Sequence, residues 1–128
     1  MMWRAIWYMT LVALALTGCH PLALGQPDVV IAMITSPGVP VVGPATATVF
    51  LRSTDGQPIR GAAVRLEGTP TFPHAAPVVA SASELAPGVY RAQLVWPRAG
   101  SWLMVVHATL ANGETVLRQV DLPYVHTP

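Results

Sequence analysis

The 128-residue chain has one cysteine and no lysine, and only 10% of its residues are charged. A single cysteine excludes a disulfide bond within the monomer. The arginines are scattered, and nucleic-acid binding needs a concentrated positive face, so the sequence argues against that class of partner. It also lacks a phosphate-binding glycine loop, a nucleophile-elbow serine and neighbouring acidic residues. Nothing in the sequence therefore indicates an enzyme.

The chain has no apolar run long enough to span a membrane unaided. The run from Ala5 to Gly18 covers 14 residues, whereas a transmembrane helix needs about 20. Arg4 precedes the run and small residues close it, as in a cleaved secretory signal. The run ends in Leu16-Thr17-Gly18-Cys19, which resembles the lipobox of bacterial lipoproteins. The resemblance implies cleavage after Gly18 and attachment of diacylglycerol to the Cys19 thiol.

The alternative is an uncleaved anchor that continues to Leu24, with Cys19 as a small buried hydrophobic residue. His20 and Pro21 interrupt the run too early for this, so we favour the signal peptide. Lipid on Cys19 would hold the protein at the cell envelope, facing the periplasm or the exterior. In a bacterium with two membranes, His20 favours the outer membrane, because an aspartate at that position is the usual signal for the inner one.

The remaining chain is long enough for one domain. Residues 1–18 are predicted to be the signal peptide, 19–27 a lipidated tether, 28–122 the domain and 123–128 a short tail, a kind of segment that is often mobile. After residue 18 there are six arginines and six acidic residues, so the net charge of the domain is close to zero. Thirteen prolines suit short strands joined by turns better than helices.

Alternating apolar residues predict about seven strands and no helix after the signal. Residues predicted to face the core include Val49, Val64 and Val106, and the tryptophan and tyrosine at Trp102 and Tyr90 are also placed there. Turn signals separate the strands every 8–15 residues or so. We therefore predict an all-β fold, an antiparallel β-sandwich of immunoglobulin type. The predicted strands lie at 28–34, 45–52, 63–67, 78–82, 89–96, 102–110 and 115–122.

Three phrases together resemble the YtkA-like domain, which is related to the FixH-like proteins. They are Asp55-Gly-Gln-Pro-Ile-Arg-Gly-Ala-Ala-Val64, Pro87-Gly-Val-Tyr-Arg-Ala92 and Ala99-Gly-Ser-Trp-Leu-Met-Val-Val106. The resemblance covers about residues 28–122 and implies a small, membrane-associated, immunoglobulin-like module without catalytic activity. It also implies copper handling, or assistance to the assembly of a respiratory oxidase, outside the cytoplasm.

In this family, the loop after the third strand carries soft copper ligands in many members. Here that loop is Thr69-Pro-Thr-Phe-Pro-His-Ala-Ala-Pro77, in which His74 is the candidate metal ligand. Phe72 and Pro73 stand where a methionine would help, and His74 is otherwise an ordinary loop residue facing solvent. His107 and His126 do not pair with another histidine at ligand spacing.

Two functions are therefore kept open for a lipid-anchored binding domain. The first is copper handling or oxidase assembly with a respiratory partner, with copper as the possible cofactor. The alternative is a structural module of the cell envelope that binds another protein and no metal. A hydrolase is a third reading, which would need a cleft with a convergent acid and base.

Overall fold

The computed structural model describes residues 28–128, which fold into seven strands. The signal peptide and the tether predicted for residues 1–27 lie outside the described residues. Within 28–128, no helix is long and apolar enough to cross a bilayer. The strands are β1 (Val29–Ser36), β2 (Gly43–Ser53), β3 (Ala63–Pro70), β4 (Val78–Ala86), β5 (Val89–Trp96), β6 (Trp102–Thr109) and β7 (Thr115–Val120).

Every pair of neighbouring strands is antiparallel, and the spatial order is β1-β2-β5-β4-β3-β6-β7. The first half of β4 pairs with β3, and its last residues pair with β5 across a β-bulge. This strand thereby joins the two layers of the sandwich along one side, while β1 and β7 approach each other on the other side. The arrangement confirms the predicted immunoglobulin-like sandwich, with the nearly closed outline of a barrel.

Alternation along each strand decides which side chains enter the core, because successive residues of a strand point to opposite faces. Val49 and Val106 are fully buried and Val64 nearly so, as predicted. The core side chains also include Ala47, Leu51, Leu66, Tyr90, Ala92, Leu94, Trp96, Trp102, Met104, Ala108, Val116 and Val125. The predicted inward positions of four strands, β2, β3, β5 and β6, are thus confirmed.

Two tryptophans pack against each other in the core, which also contains Tyr90. Trp96 is fully buried, and its ring centroid lies 5.3 Å from that of Trp102. Space for Trp96 comes from Gly68 on β3, where an added Cβ would lie 3.3 Å from the indole ring. The pairing of the largest side chain with the smallest across the core therefore explains a glycine inside a strand.

The phenol of Tyr90 ties the core to the segment between β2 and β3. Its hydroxyl donates to the carbonyl of Ile59 at 2.8 Å and accepts from the amide of Ala62 at 3.1 Å. Burial raises the pKa of the Tyr90 hydroxyl, and the nearby Glu84 carboxylate adds to the rise. Tyr90 is therefore a buried structural residue, as the sequence predicted.

The carboxyl-terminal segment 123–128 contacts the sandwich through Val125 and His126. Val125 is fully buried and exchanges two backbone hydrogen bonds of 2.9 Å with Gly100. His126 likewise exchanges backbone bonds with the loop between β1 and β2, through Pro40 and Val42. The backbone beyond residue 122 is therefore hydrogen-bonded to the sandwich.

Candidate functional site

The candidate ligand His74 lies in the loop between β3 and β4, at the end of the sandwich away from the start of β1. Its side chain is exposed, and its φ of 63° places it in the left-handed region. Residues other than glycine are uncommon in that region, and histidine is among the types that enter it more readily. The structure thus presents His74 to solvent on a defined loop.

Contacts on both sides fix the backbone of this loop. Thr71 is held by the carbonyl of Ser101, which accepts from its amide at 3.0 Å and from its hydroxyl at 2.9 Å. The Arg98 guanidinium donates to the carbonyl of His74 at 3.2 Å and lies 5.3 Å from the centre of the Phe72 ring. These contacts attach the loop to the connection between β5 and β6.

Phe72, which stands where a methionine would help to bind copper, has a packing role. Its ring meets Trp102 edge to face, with centroids 5.6 Å apart. The indole N–H of Trp102 in turn donates to the carbonyl of Arg98 at 3.1 Å. These contacts join the loop to the core. The sequence alone does not predict the contact of Phe72 with Trp102, because the two residues lie in separate segments.

The other soft side chains lie elsewhere in the fold. Met104 is enclosed in the core on β6, and Met33 is half-buried on β1. Among residues 28–128, no three His, Cys, Asp or Glu side chains are grouped so that they could hold a metal ion. Within the described residues, His74 thus belongs to no group of three such side chains.

His126 lies at the same end of the domain as His74. The pairing of Val125 with Gly100 brings the final segment next to the strand connection that also holds Thr71. The ring of His126 packs against Tyr124, with centroids 5.2 Å apart. This end of the sandwich therefore carries two histidines, although the segments that bear them are about 50 residues apart.

His107 belongs to a different surface, the outer face of β3, β6 and β7. Its Nε2 lies 3.2 Å from a Glu67 carboxylate oxygen, and its Nδ1 lies 3.4 Å from an Arg65 guanidinium nitrogen. Cross-strand register explains the cluster, because Arg65 stands directly opposite His107. The sequence could show only that each residue occupies an outward position.

An acid and an imidazole thus meet on this outer face, and Ser81 of β4 does not lie within reach of them. Ser81 on β4 is paired with Arg65, so β3 separates Ser81 from His107 by two strand spacings, about 9–10 Å. A serine nucleophile must be within hydrogen-bond reach of its base. The cluster is accordingly an exposed charged patch on a strand surface.

The sequence profile of the YtkA-like family matches residues 25–107, which is more than half of the chain. The chain belongs to the YtkA-like family. The match includes β1 to β5, most of β6 and the His74 loop, whereas β7 and the packed carboxyl-terminal segment lie beyond it. This confirms the resemblance drawn from the three sequence phrases.

The YtkA-like domain is also similar in fold to the PmoD soluble domain from Methylocystis sp. ATCC 49242 (Rockwell), known from its crystal structure. The superposition has a TM-score of 0.50 at 12% sequence identity and covers 79% of this chain and 93% of that one. At this identity the likeness supports the fold alone. A search of curated protein sequences gives no match.

Proposed function

We propose that this protein is an extracytoplasmic lipoprotein, anchored through Cys19, whose YtkA-like domain binds a partner at the membrane surface without catalysing a reaction. The observation that carries the proposal is the position of the lipobox-like Leu16–Cys19 directly before the domain. Cys19 precedes Val29, the first residue of β1, by only ten positions. The segment between them is thus a tether with no room for a further domain.

The anchor is tested by labelling cells that express the full chain with an alkyne fatty acid. We expect the native protein to incorporate the label and to lose residues 1–18. Cys19→Ser should incorporate no label and keep residues 1–18, because serine has no thiol to accept diacylglycerol. The mass of the purified protein and in-gel detection of the label measure both effects.

Gly18→Ala is the matched control, since it keeps a small residue before Cys19. This variant should be labelled and cleaved like the native protein. Full-length, unlabelled native protein would contradict the proposal and support the uncleaved anchor instead. The position of His20 after the cysteine leads us to propose the outer membrane in a bacterium that has one.

The second candidate for the binding activity is copper handling at His74, in contact with a respiratory or envelope partner. It is favoured by the exposure of His74 and by its left-handed backbone on a loop attached to the β5–β6 connection. The loop lies at the end of the sandwich opposite the start of β1, about 25 Å away for a strand of this length. A metal site there would face away from the tether, toward a partner molecule.

This candidate predicts that residues 20–128 bind Cu(I) more tightly than micromolar in competition with a chelator. His74→Asn should weaken that binding at least about tenfold, because it removes the soft imidazole while asparagine still tolerates positive φ. His107→Asn, which alters a histidine on the outer face, should leave it unchanged. Equal Cu(I) binding by all three proteins, or no binding by the folded native domain, would contradict copper handling at His74. The alternative function, a module that binds another protein and no metal, would then be retained.

A further inference from the structure

One outer surface of the sandwich differs from the rest in both polarity and charge. We call it the β1–β2 face and define it by Val30, Ala32 and Ile34 of β1, Phe50 and Arg52 of β2, and Arg91 of β5. Val30 and Ile34 are 52% and 60% exposed, and Phe50 is half-buried between its neighbours. The face therefore presents aliphatic and aromatic surface to solvent.

Strand register places these side chains side by side. Val30 stands opposite Arg52, and Ala32 stands opposite Phe50. The four residues line one shallow depression. Arg91 lies one strand further on, opposite Thr48. The result is a continuous apolar strip with a guanidinium group at two of its edges.

The charge on this face is of one sign. Its strand residues include two arginines and no aspartate or glutamate, although the domain as a whole has equal numbers of basic and acidic residues. Two carboxylates border the face: Asp28 directly precedes β1, and Glu84 follows Ser83, the β4 partner of Arg91. The Glu84 carboxylate accepts from the backbone amides of Gly61 and Gly88. The opposite outer face differs, because a carboxylate lies there: Glu67 contacts His107, which also contacts Arg65.

The tether brings this face close to the proposed anchor. Ten residue steps separate Cys19 from Val29, and a fully extended chain covers at most about 3.6 Å per residue. The start of β1 is thus never more than about 36 Å from the lipidated residue, and Val30 is the first outward side chain after it. Such a short connection gives the face a high effective concentration at the bilayer, so a weak intrinsic affinity is sufficient.

We infer that the β1–β2 face docks on the anionic phospholipid surface of the membrane that holds the lipid anchor. Val30, Ile34 and Phe50 enter the headgroup region, and Arg52 and Arg91 contact the phosphates. The inference rests on the proposed anchor for its tether argument. Docking in this way leaves the His74 end and the outer face of β3, β6 and β7 free for a partner.

The test uses residues 20–128, which contain every residue of the core, and does not depend on acylation. The protein is sedimented with phosphatidylethanolamine vesicles that contain about a quarter phosphatidylglycerol, at millimolar lipid. We expect a bound fraction that falls when phosphatidylglycerol is omitted or when salt is raised to about 0.5 M. Arg91→Gln should lower the partition coefficient about fivefold, as loss of one basic contact implies.

Val30→Asp should lower it further, about tenfold or more, because it places a carboxylate in the apolar strip against an anionic surface. Leu117→Asp is the matched control: Leu117 is 49% exposed on β7, an equally outward position on the opposite face. It should bind like the native protein. Circular dichroism confirms that each variant is folded.

Equal loss in Val30→Asp and Leu117→Asp, or no binding by the folded native protein, would overturn the docking inference. So would self-association that Val30→Asp abolishes, since the face would then be an interface between two copies of the chain. Failure of the fatty-acid labelling would instead contradict the proposed lipid anchor on Cys19. Vesicle binding by residues 20–128 would still be measured, because it does not depend on acylation. The two proposals therefore fail in different experiments.

Discussion

Replacing Trp96 with alanine should lower the free energy of unfolding by about 3–5 kcal/mol. Trp96 is fully buried, and a tryptophan of this kind hides about 150–250 Å² of surface. It contacts the Trp102 ring and fills the space left by Gly68. Gly68 has no side chain that could move into the cavity, so we expect the cost near the upper end of the range. Urea denaturation of residues 20–128, followed by circular dichroism, measures it.

The neighbouring outward residue supplies the control for this experiment. Val95 precedes Trp96 on β5 and is 57% exposed, so Val95→Ala should change the stability by less than about 0.5 kcal/mol. Trp96→Phe should lose less than the alanine variant, because it keeps a ring and removes an indole N–H that has no hydrogen-bond partner among residues 28–128. Similar losses for Trp96→Ala and Val95→Ala would contradict the placement of Trp96 in the core.

The strands and their inward faces could be predicted because they depend on local pattern. In β5, alternation alone placed Tyr90 and Trp96 on the buried side, and its predicted bounds agree with Val89–Trp96. Turn residues between the strands then fix where each strand ends. Both signals lie within a few residues of the feature that they determine.

Features that depend on register between distant strands could not be predicted in this way. Glu67 and His107 are 40 residues apart in the sequence, and only the pairing of β3 with β6 brings their side chains to 3.2 Å. The polar position of each residue was visible, but the partner across the sheet was not. The β1–β2 face could not be predicted for the same reason, because its apolar strip is assembled from residues of two strands.

The contact of Phe72 with Trp102 and the packing of the final segment illustrate a second limit of prediction from the sequence. Val125 follows the last strand in a short proline-containing segment, which by composition resembles a loose end. Its burial depends on a groove beside Gly100 that exists only after the sandwich has formed. Phe72 likewise stands in the sequence where a methionine would help to bind copper, whereas in the fold it attaches the His74 loop to Trp102.

Replacing Gly88 with alanine should lower the free energy of unfolding by about 2–5 kcal/mol, the sum of a backbone cost and a steric cost. Gly88 joins β4 to β5 with a φ of 72°, where an alanine costs about 1–2 kcal/mol. An added Cβ would also lie 2.6 Å from the carbonyl oxygen of Leu51 and 2.9 Å from a side-chain carbon of Pro58. That carbonyl accepts from Ile59, and the amide of Leu51 donates to Gly88, so neither side can move without breaking a hydrogen bond.

Gly113→Ala separates the two contributions. Gly113 lies in the turn between β6 and β7 with a φ of 90°, and nothing stands within 4 Å of an added Cβ. Alanine there meets the backbone cost alone, so we expect a loss of about 1–2 kcal/mol. The difference between the two variants in urea denaturation is then the steric part at Gly88, which reports how tightly β2 packs against the turn between β4 and β5. Equal losses would show that Leu51 and Pro58 do not enclose Gly88. They would contradict the close packing of β2 against the turn between β4 and β5.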